Sequence, residues 1–364
     1  VRPRGVRERA EGREGAVVSR TAAGATGGGE AERGDGAADA GADRRRKGSG
    51  MSDLLLFGRD LFGDAIKPRS RGVVADRFTW PPFSVLDARS GEWQMRKRAW
   101  SSLGLRGEEG RAAQAYASPQ IAALAGGYVG VDGQTASSTS SVFDPVVCEI
   151  AYRWFCPPGA QILDPFAGGS VRGIVAGSLG RRYWGCDLRP EQIEANERQA
   201  DAIETPIRPT WVVGDALDAV LTAPDADFVF SCPPYGDLER YSDDARDIST
   251  MEWPTFAAAY SRIILRCVAK MKPDTFAAFV VGDFRCPRGF YRNFTGKTVE
   301  AFEAAGARYY NEIVIATPVG SGALRAPRQF TAGRKVVKTH QNLLVFCKGN
   351  PMEAARKCAA GDGQ

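Results

Sequence analysis

From Asp144 to about Phe346 the chain alternates short runs of β-branched and aromatic residues with longer stretches at helical spacing. Nearly every apolar run halts at Gly, Pro or Asp. Asp144 is a good helix cap and Pro145 a good first helical residue, with Val147, Ile150, Ala151 and Trp154 along one face. Pro157-Pro158-Gly159 stops that helix. A strand at Gln161–Leu163 follows, then a Gly-rich turn and a helix through Val171, Ile174, Val175 and Leu179, closed by Gly180. Further strands are predicted at Tyr183–Cys186, Trp211–Val213, Phe228–Phe230 and Phe276–Val281, with helices opening at Pro190 and spanning Phe256–Met271. Strands alternating with helices over short connections predict an α/β fold with a mostly parallel sheet covered on both faces. Two later runs, Glu312–Ala316 and Gln341–Phe346, have what reads as only a loop between them, and predict an antiparallel hairpin at one edge.

What precedes this pattern is different. Residues 1–50 are Gly, Ala, Arg and Glu with almost no large apolar side chain, a composition that predicts disorder because it cannot offset the entropy of ordering. They read either as an upstream extension before Met51 or as an Arg-rich tail that touches DNA. Residues 51–140 read as an irregular, aromatic and basic N-terminal region. Trp80, Phe83, Trp93 and Trp100 interleave there with Arg96, Lys97 and Arg98, which fits either base stacking or packing of this arm onto the main domain. A flexible tail is expected over 351–364.

With 364 residues, 43% of them hydrophobic, the chain can build a sizeable core, and no apolar run reaches the roughly 18–20 residues that span a bilayer. No membrane partner is expected. Eight scattered cysteines without a CxxC pair, and a single histidine, His340, argue against a disulfide framework and against a metal site. A reducing cytoplasm is the expected compartment. The net charge of +5 carries little information, since residues 1–50 alone contribute +3 of it. Local charge says more. Residues 284–299 hold Arg285, Arg288, Arg292 and Lys297 without an acid, and residues 313–352, also acid-free, hold Arg325, Arg328, Arg334, Lys335, Lys338 and Lys348. Such segments suit phosphate contact, and they suit solvated surface equally well.

Ligands of an open parallel sheet sit beyond the carboxyl ends of its strands. The candidates at such ends are Asp164-Pro165-Phe166-Ala167-Gly168-Gly169-Ser170, Asp187, and Asp215 followed by Ala216. Gly168 and Gly169 permit a tight turn and a close backbone approach to a ligand, and the amides opening the next helix attract a carboxylate. Asp187 is placed to accept two ribose hydroxyls, and Asp215 to accept from an adenine amino group. The spacing is not that of the GxGxxG dinucleotide turn.

The stretch Asp164–Ser170 is similar to the DPFxGxG motif of S-adenosylmethionine-dependent DNA methyltransferases that act on adenine N6 or cytosine N4. Phe143-Asp144-Pro145 resembles the cofactor-gripping motif that precedes it, Cys232-Pro233-Pro234-Tyr235 resembles the catalytic [DNS]PP[YFW] tetrad, and Lys338-Thr339-His340-Gln341-Asn342-Leu343-Leu344-Val345-Phe346 looks like the terminal strand. The order of the motifs matches the gamma arrangement, and the resemblance covers about residues 140–350. More loosely, Pro81–Asp87 and Gly289–Phe294 look like phage-encoded members. The resemblance implies a Rossmann-like class I methyltransferase fold with a mostly parallel seven-stranded sheet and an antiparallel edge hairpin. It also implies S-adenosylmethionine as cofactor and DNA, as duplex with a flipped base, as partner. Target recognition is then expected in the loops at 284–299 and 318–339, through Arg285, Arg288, Arg292, Arg325, Arg328, Arg334 and Lys335.

An exocyclic base amine is a poor nucleophile because its lone pair is delocalised, and acceptors on its N–H groups favour attack in line on a methyl. In the family the tetrad's first side chain and first proline carbonyl supply those acceptors, and the aromatic stacks on the flipped base. Pro233 and Tyr235 fit these roles. Cys232 departs from the pattern, because a thiol is a weak acceptor. Backbone carbonyls and Ser231 suffice in one reading. In a second, Cys232 is a nucleophile that activates pyrimidine C5. A third has a weakened enzyme or an unusual base. Asp237, Glu239, Asp243 and Asp244 read as a solvated acidic loop or as proton acceptors. A non-catalytic DNA-binding module and a methyltransferase for RNA or protein remain alternative readings of the whole chain.

Overall fold

The computed structural model describes residues 74, 78–107, 109, 116–117, 142–236, 239–320 and 322–359. The expected disorder of residues 1–50, and most of 51–77 and 110–141, lie outside the described residues, as do Asp237 and the chain from 360 onward.

The chain runs β1 (Val85–Asp87), α1 (Gly91–Ser102) and β2 (Tyr116–Ala117), then α2 (Pro145–Phe155), β3 (Gln161–Asp164), α3 (Val171–Ser178), β4 (Arg182–Asp187), α4 (Pro190–Ala202), β5 (Thr210–Val213), α5 (Ala216–Thr222) and β6 (Ala226–Ser231). It continues through β7 (Glu239–Arg240), α6 (Trp253–Lys270), β8 (Met271–Val281), α7 (Phe294–Ala304), β9 (Arg308–Ala316), α8 (Gly322–Gly333), β10 (His340–Lys348) and α9 (Pro351–Ala359). Eight strands form one sheet in the order β1-β9-β10-β8-β6-β3-β4-β5. All neighbours are parallel except β10, which runs antiparallel to both β8 and β9. This is the Rossmann-like fold of class I methyltransferases, extended by one strand.

That extra strand was not legible. Val85–Asp87 pairs in parallel with Val314–Ala316, so β1 lies outside the expected β9–β10 hairpin. The loop expected between the hairpin strands contains α8, all but one of whose residues are exposed or half-buried.

The sheet is buried on both faces, by two apolar clusters. One joins α2, α3 and the N-terminal elements, and the other joins α5, α6 and α7. Trp93 and Trp100 of α1 are fully or nearly fully buried in the first. Arg96 reaches the equally buried Glu149 of α2, and Trp100 Nε1 donates to the same carboxylate at 3.0 Å. Packing, not stacking on bases, is therefore the role of α1's tryptophans, and Arg96 is held by an ion pair rather than free for phosphate.

Candidate active site

The strand order reverses between β3 and β6, and there the sheet opens into a cavity of about 630 Å³. Two groups of residues meet on its wall. Pro165, Phe166, Gly168, Gly169, Asp187, Asp215 and Ala216 come from the ends of β3, β4 and β5. Cys232, Pro233, Pro234 and Tyr235 come from the end of β6.

The first group is locked by hydrogen bonds that its own residues supply. Asp164 is fully buried and does not face the cavity. It pairs with Arg172 at 2.6 Å, accepts from Tyr183 Oη at 2.7 Å and Ser231 Oγ at 2.5 Å, and accepts from the Phe166 amide at 3.0 Å. The expectation that it binds a cofactor is corrected, because these donors already occupy its oxygens and make it the anchor of the turn. Ala167 and Ser170 are also buried off the wall, Ser170 donating to Gln199 Oε1 at 2.8 Å. Arg172 donates to the carbonyls of Phe166 and Ala167 and lies over the Phe143 ring at 4.8 Å.

Gly168 has φ +49°, the left-handed region that a side chain strains, and its amide donates to Asp187 Oδ2 at 3.1 Å. Asp187 accepts a second bond from the Arg189 amide at 2.9 Å. Burial pushes its carboxyl above the usual range, against the lowering effect of the two amides and Arg189. Asp215 caps α5 through the Leu217 amide at 2.9 Å. At Gly169 the backbone of the N-terminal segment comes very close: a Cβ there would meet the Gly107 carbonyl oxygen at 2.8 Å.

Phe143 and Asp144 line the cavity, while Pro145 is buried in the first turn of α2. Asp144 caps α2 through the Val146 amide at 3.0 Å. The same side chain accepts from Trp93 Nε1 at 3.1 Å and pairs with Lys97 at 3.3 Å, both from α1.

The tetrad stands at the other side. Tyr235 is half-buried, its ring edge-on to Phe294 with centroids 6.0 Å apart, and its hydroxyl accepts from Gln341 Nε2 at 3.0 Å. Burial raises its phenol well above the ordinary value, with Cys232 beside it adding to the shift. Lys338, Asp283 and Gln341 complete this wall. Burial lowers the Lys338 ammonium, against the opposite pull of Asp283 and Glu312. Asp283 and Gln341 were not singled out from sequence as site residues, and Lys338 only as one of the basic residues suited to phosphate. Lys338 and Gln341 stand within the terminal-strand motif, but only the fold turns them toward Tyr235's side of the cavity. Asp243 pairs with Arg240 on the surface, while the half-buried Asp244 pairs with Arg246, which lines the cavity.

The expected phosphate-contacting residues stand on two segments, 284–292 and 322–335, and differ in exposure. Arg288, Arg325, Arg328 and Arg334 are exposed and Lys335 is half-buried. Arg285 is tied to the Gly289 carbonyl at 2.9 Å and lies over Tyr291, and Arg292 lies over Trp253. Among the described residues no cluster of His, Cys, Asp and Glu could hold a metal ion, and no helix is long and apolar enough to cross a membrane.

Fold and cavity together define an α/β protein of the class I methyltransferase plan with a Cys-Pro-Pro-Tyr turn facing the strand-end pocket. No protein-family model matches the chain, and no curated protein matches it. Among solved structures it is similar to TrmN from Thermus thermophilus, at 17% identity over 57% of this chain and 49% of that one, with a TM-score of 0.38. A methyltransferase from Pyrococcus furiosus is similar at 15% identity over 65% of this chain and all of that one, TM-score 0.38. Magnesium protoporphyrin IX methyltransferase from Synechocystis, with bound SAM, is similar at 12% identity over 53% and 71%, TM-score 0.35. The chain spans about half the length of the Thermus thermophilus protein.

Proposed function

We propose that the chain is an S-adenosylmethionine-dependent methyltransferase whose target is an exocyclic amine, adenine N6 or cytosine N4, of a DNA base drawn out of its stack. The observation that carries this reading is that one cavity is lined both by Gly168, Asp187 and Asp215 and by Cys232–Tyr235. A volume of about 630 Å³ lies in the ordinary range for small-molecule sites.

The wall fits the cofactor's chemistry. Asp187 would accept the ribose hydroxyls and Asp215 would accept from the adenine amino group, while the left-handed turn at Gly168 brings backbone rather than side chain to the wall. When bound, S-adenosylmethionine supplies an electrophilic methyl on its sulfonium. The chain's own part is to hold the amine in line with it. The Pro233 carbonyl accepts one amine N–H, which concentrates the nitrogen lone pair toward the methyl. Tyr235, braced by Phe294 and Gln341, offers a fixed face for the base.

Titration calorimetry with S-adenosylmethionine tests the cofactor half. Mass spectrometry of nucleosides from DNA of cells expressing the protein tests the target, and names the base. Micromolar cofactor binding with N6-methyladenine or N4-methylcytosine in the DNA is the expected result. Binding without any modified nucleoside would leave a cofactor-binding fold that acts on something else.

A further inference from the structure

Two segments leave the target wall of the cavity and meet again outside it. After Phe284 the chain makes a short hairpin, closed by Cys286 N–H donating to the Phe290 carbonyl at 2.8 Å and by an isolated bridge between Arg285 and Tyr291. After Pro318 it runs through α8 and returns at Lys338. The end of α8 is turned by Arg334 in the left-handed region (φ +52°), with Arg334 N–H bonded back to the Phe330 carbonyl and Lys335 N–H to that of Gln329. This turn lays Lys335 against the hairpin tip: a Cβ on Gly289 would lie 2.5 Å from its Nζ. The two segments therefore form a single ridge beside the cavity.

The ridge combines two properties. It carries no acid between 284 and 299 or between 313 and 352, while Arg288 and Arg334 are exposed. It also presents large apolar rings to solvent: Phe290 is 69% exposed, Phe330 46% and Tyr291 45%. Guanidinium groups lie over two of these rings, Arg285 over Tyr291 at 3.9 Å and Arg334 over Phe330 at 5.1 Å. Cations alone suit the phosphates of a duplex. Rings held open to water among cations need base faces, and a duplex hides its base faces in the stack.

We infer that the 284–292 hairpin and α8 act together as a stacking platform for an unpaired nucleic-acid strand, which delivers its target to the cavity from a single-stranded or locally opened segment. The inference rests on the nucleic-acid reading of the site and narrows its substrate class.

Fluorescence anisotropy on the full chain tests it, using one labelled 20-nucleotide sequence as single-stranded DNA, as duplex and as RNA. Single strands should bind about tenfold or more tighter than duplex. The double variant F290A/F330A removes two exposed rings and no charge. It should lose about tenfold in single-strand affinity with an unchanged salt slope, and less than twofold in duplex affinity. An unchanged melting temperature controls for folding. Single-stranded RNA binding as tightly as DNA supports the platform and reassigns only the sugar. Preference for duplex, equal losses on both forms, no loss at all, or tighter association with anionic phosphatidylserine vesicles than with the strand would each overturn the inference. Strand binding without methyl transfer would sink the methyltransferase reading and leave the platform standing. Absence of any nucleic-acid binding would sink both.

Discussion

The cofactor side of the cavity and the ridge beside its target side are built in opposite ways. On the cofactor side nearly every polar group has a partner within the chain: Asp164 holds Arg172, Tyr183 and Ser231, Asp187 holds two amides, and Asp144 holds α1 to α2. Beyond the target side, whose Tyr235 is itself held by Gln341, the ridge leaves rings and arginines exposed. The contrast tells which half is finished before any ligand arrives. A small, invariant ligand can be met by a preorganised wall, while a polymer segment needs a surface that gains order with it.

The sharpest way to break this comparison is to remove the anchor of the finished half. Asp164→Ala leaves Arg172 buried without its charge partner and should cost about 3–5 kcal/mol in urea unfolding. An unfolding midpoint like that of the wild type would mean that the turn is not held as described. Next in size, Asp187→Ala should weaken S-adenosylmethionine at least tenfold by calorimetry, about 1.4 kcal/mol or more. Asp187 also gives this half a pH signature. Its folded carboxyl is raised by burial, so it takes up a proton at higher pH than an ordinary aspartate does. The protonated form is a poorer acceptor, so affinity should fall on acidification before ordinary carboxylates titrate, and Asp187→Asn should flatten that dependence. The same pH profile in both proteins would move the ribose contact elsewhere.

On the unfinished half the effects should be smaller and salt-dependent. Replacing Arg325, Arg328 and Arg334 together by Ala should reduce the slope of log K against log salt by about 2–3, while cofactor affinity holds. An unaltered slope makes these residues solvated surface. Smallest of all should be Cys232→Ser, which keeps turnover within a few-fold, because a hydroxyl accepts better than a thiol at a position where the amine is held chiefly by backbone. Loss of several orders of magnitude, with a covalent complex on 5-fluorocytosine DNA in the wild type alone, would instead make Cys232 the nucleophile of a C5 reaction.

The cofactor half was largely legible because its signals are local. Asp144-Pro145 caps a helix, and Gly168 is needed wherever the chain must turn left-handed. Asp187 ends β4 and Asp215 caps α5 just past β5, where apolar runs stop visibly. Sequence alone misplaced Pro145, Asp164, Ala167 and Ser170 on the wall; for Asp164 the reason is that a carboxylate at a strand end looks the same whether it faces ligand or an arginine eight residues on. The target half was less legible. α8 hides behind Gly320, Gly322, Gly333 and a proline inside it, Pro327, all of which read as loop. β1 has only three residues, and nothing near them in the chain reveals that Val314–Ala316 will pair with them. Gln341 is an ordinary strand residue until the fold sets it against Tyr235.

The position of β1 also sets a timetable. Its partner strand is made more than two hundred residues later, so on a ribosome adding about 5–20 residues per second the segment waits roughly 10–50 seconds for its place in the sheet. α1, directly behind it, finds α2 much sooner and can bury Trp93 and Trp100 in the meantime. Among the described residues the first sheet strand in chain order is thus seated only once nearly the last has been made.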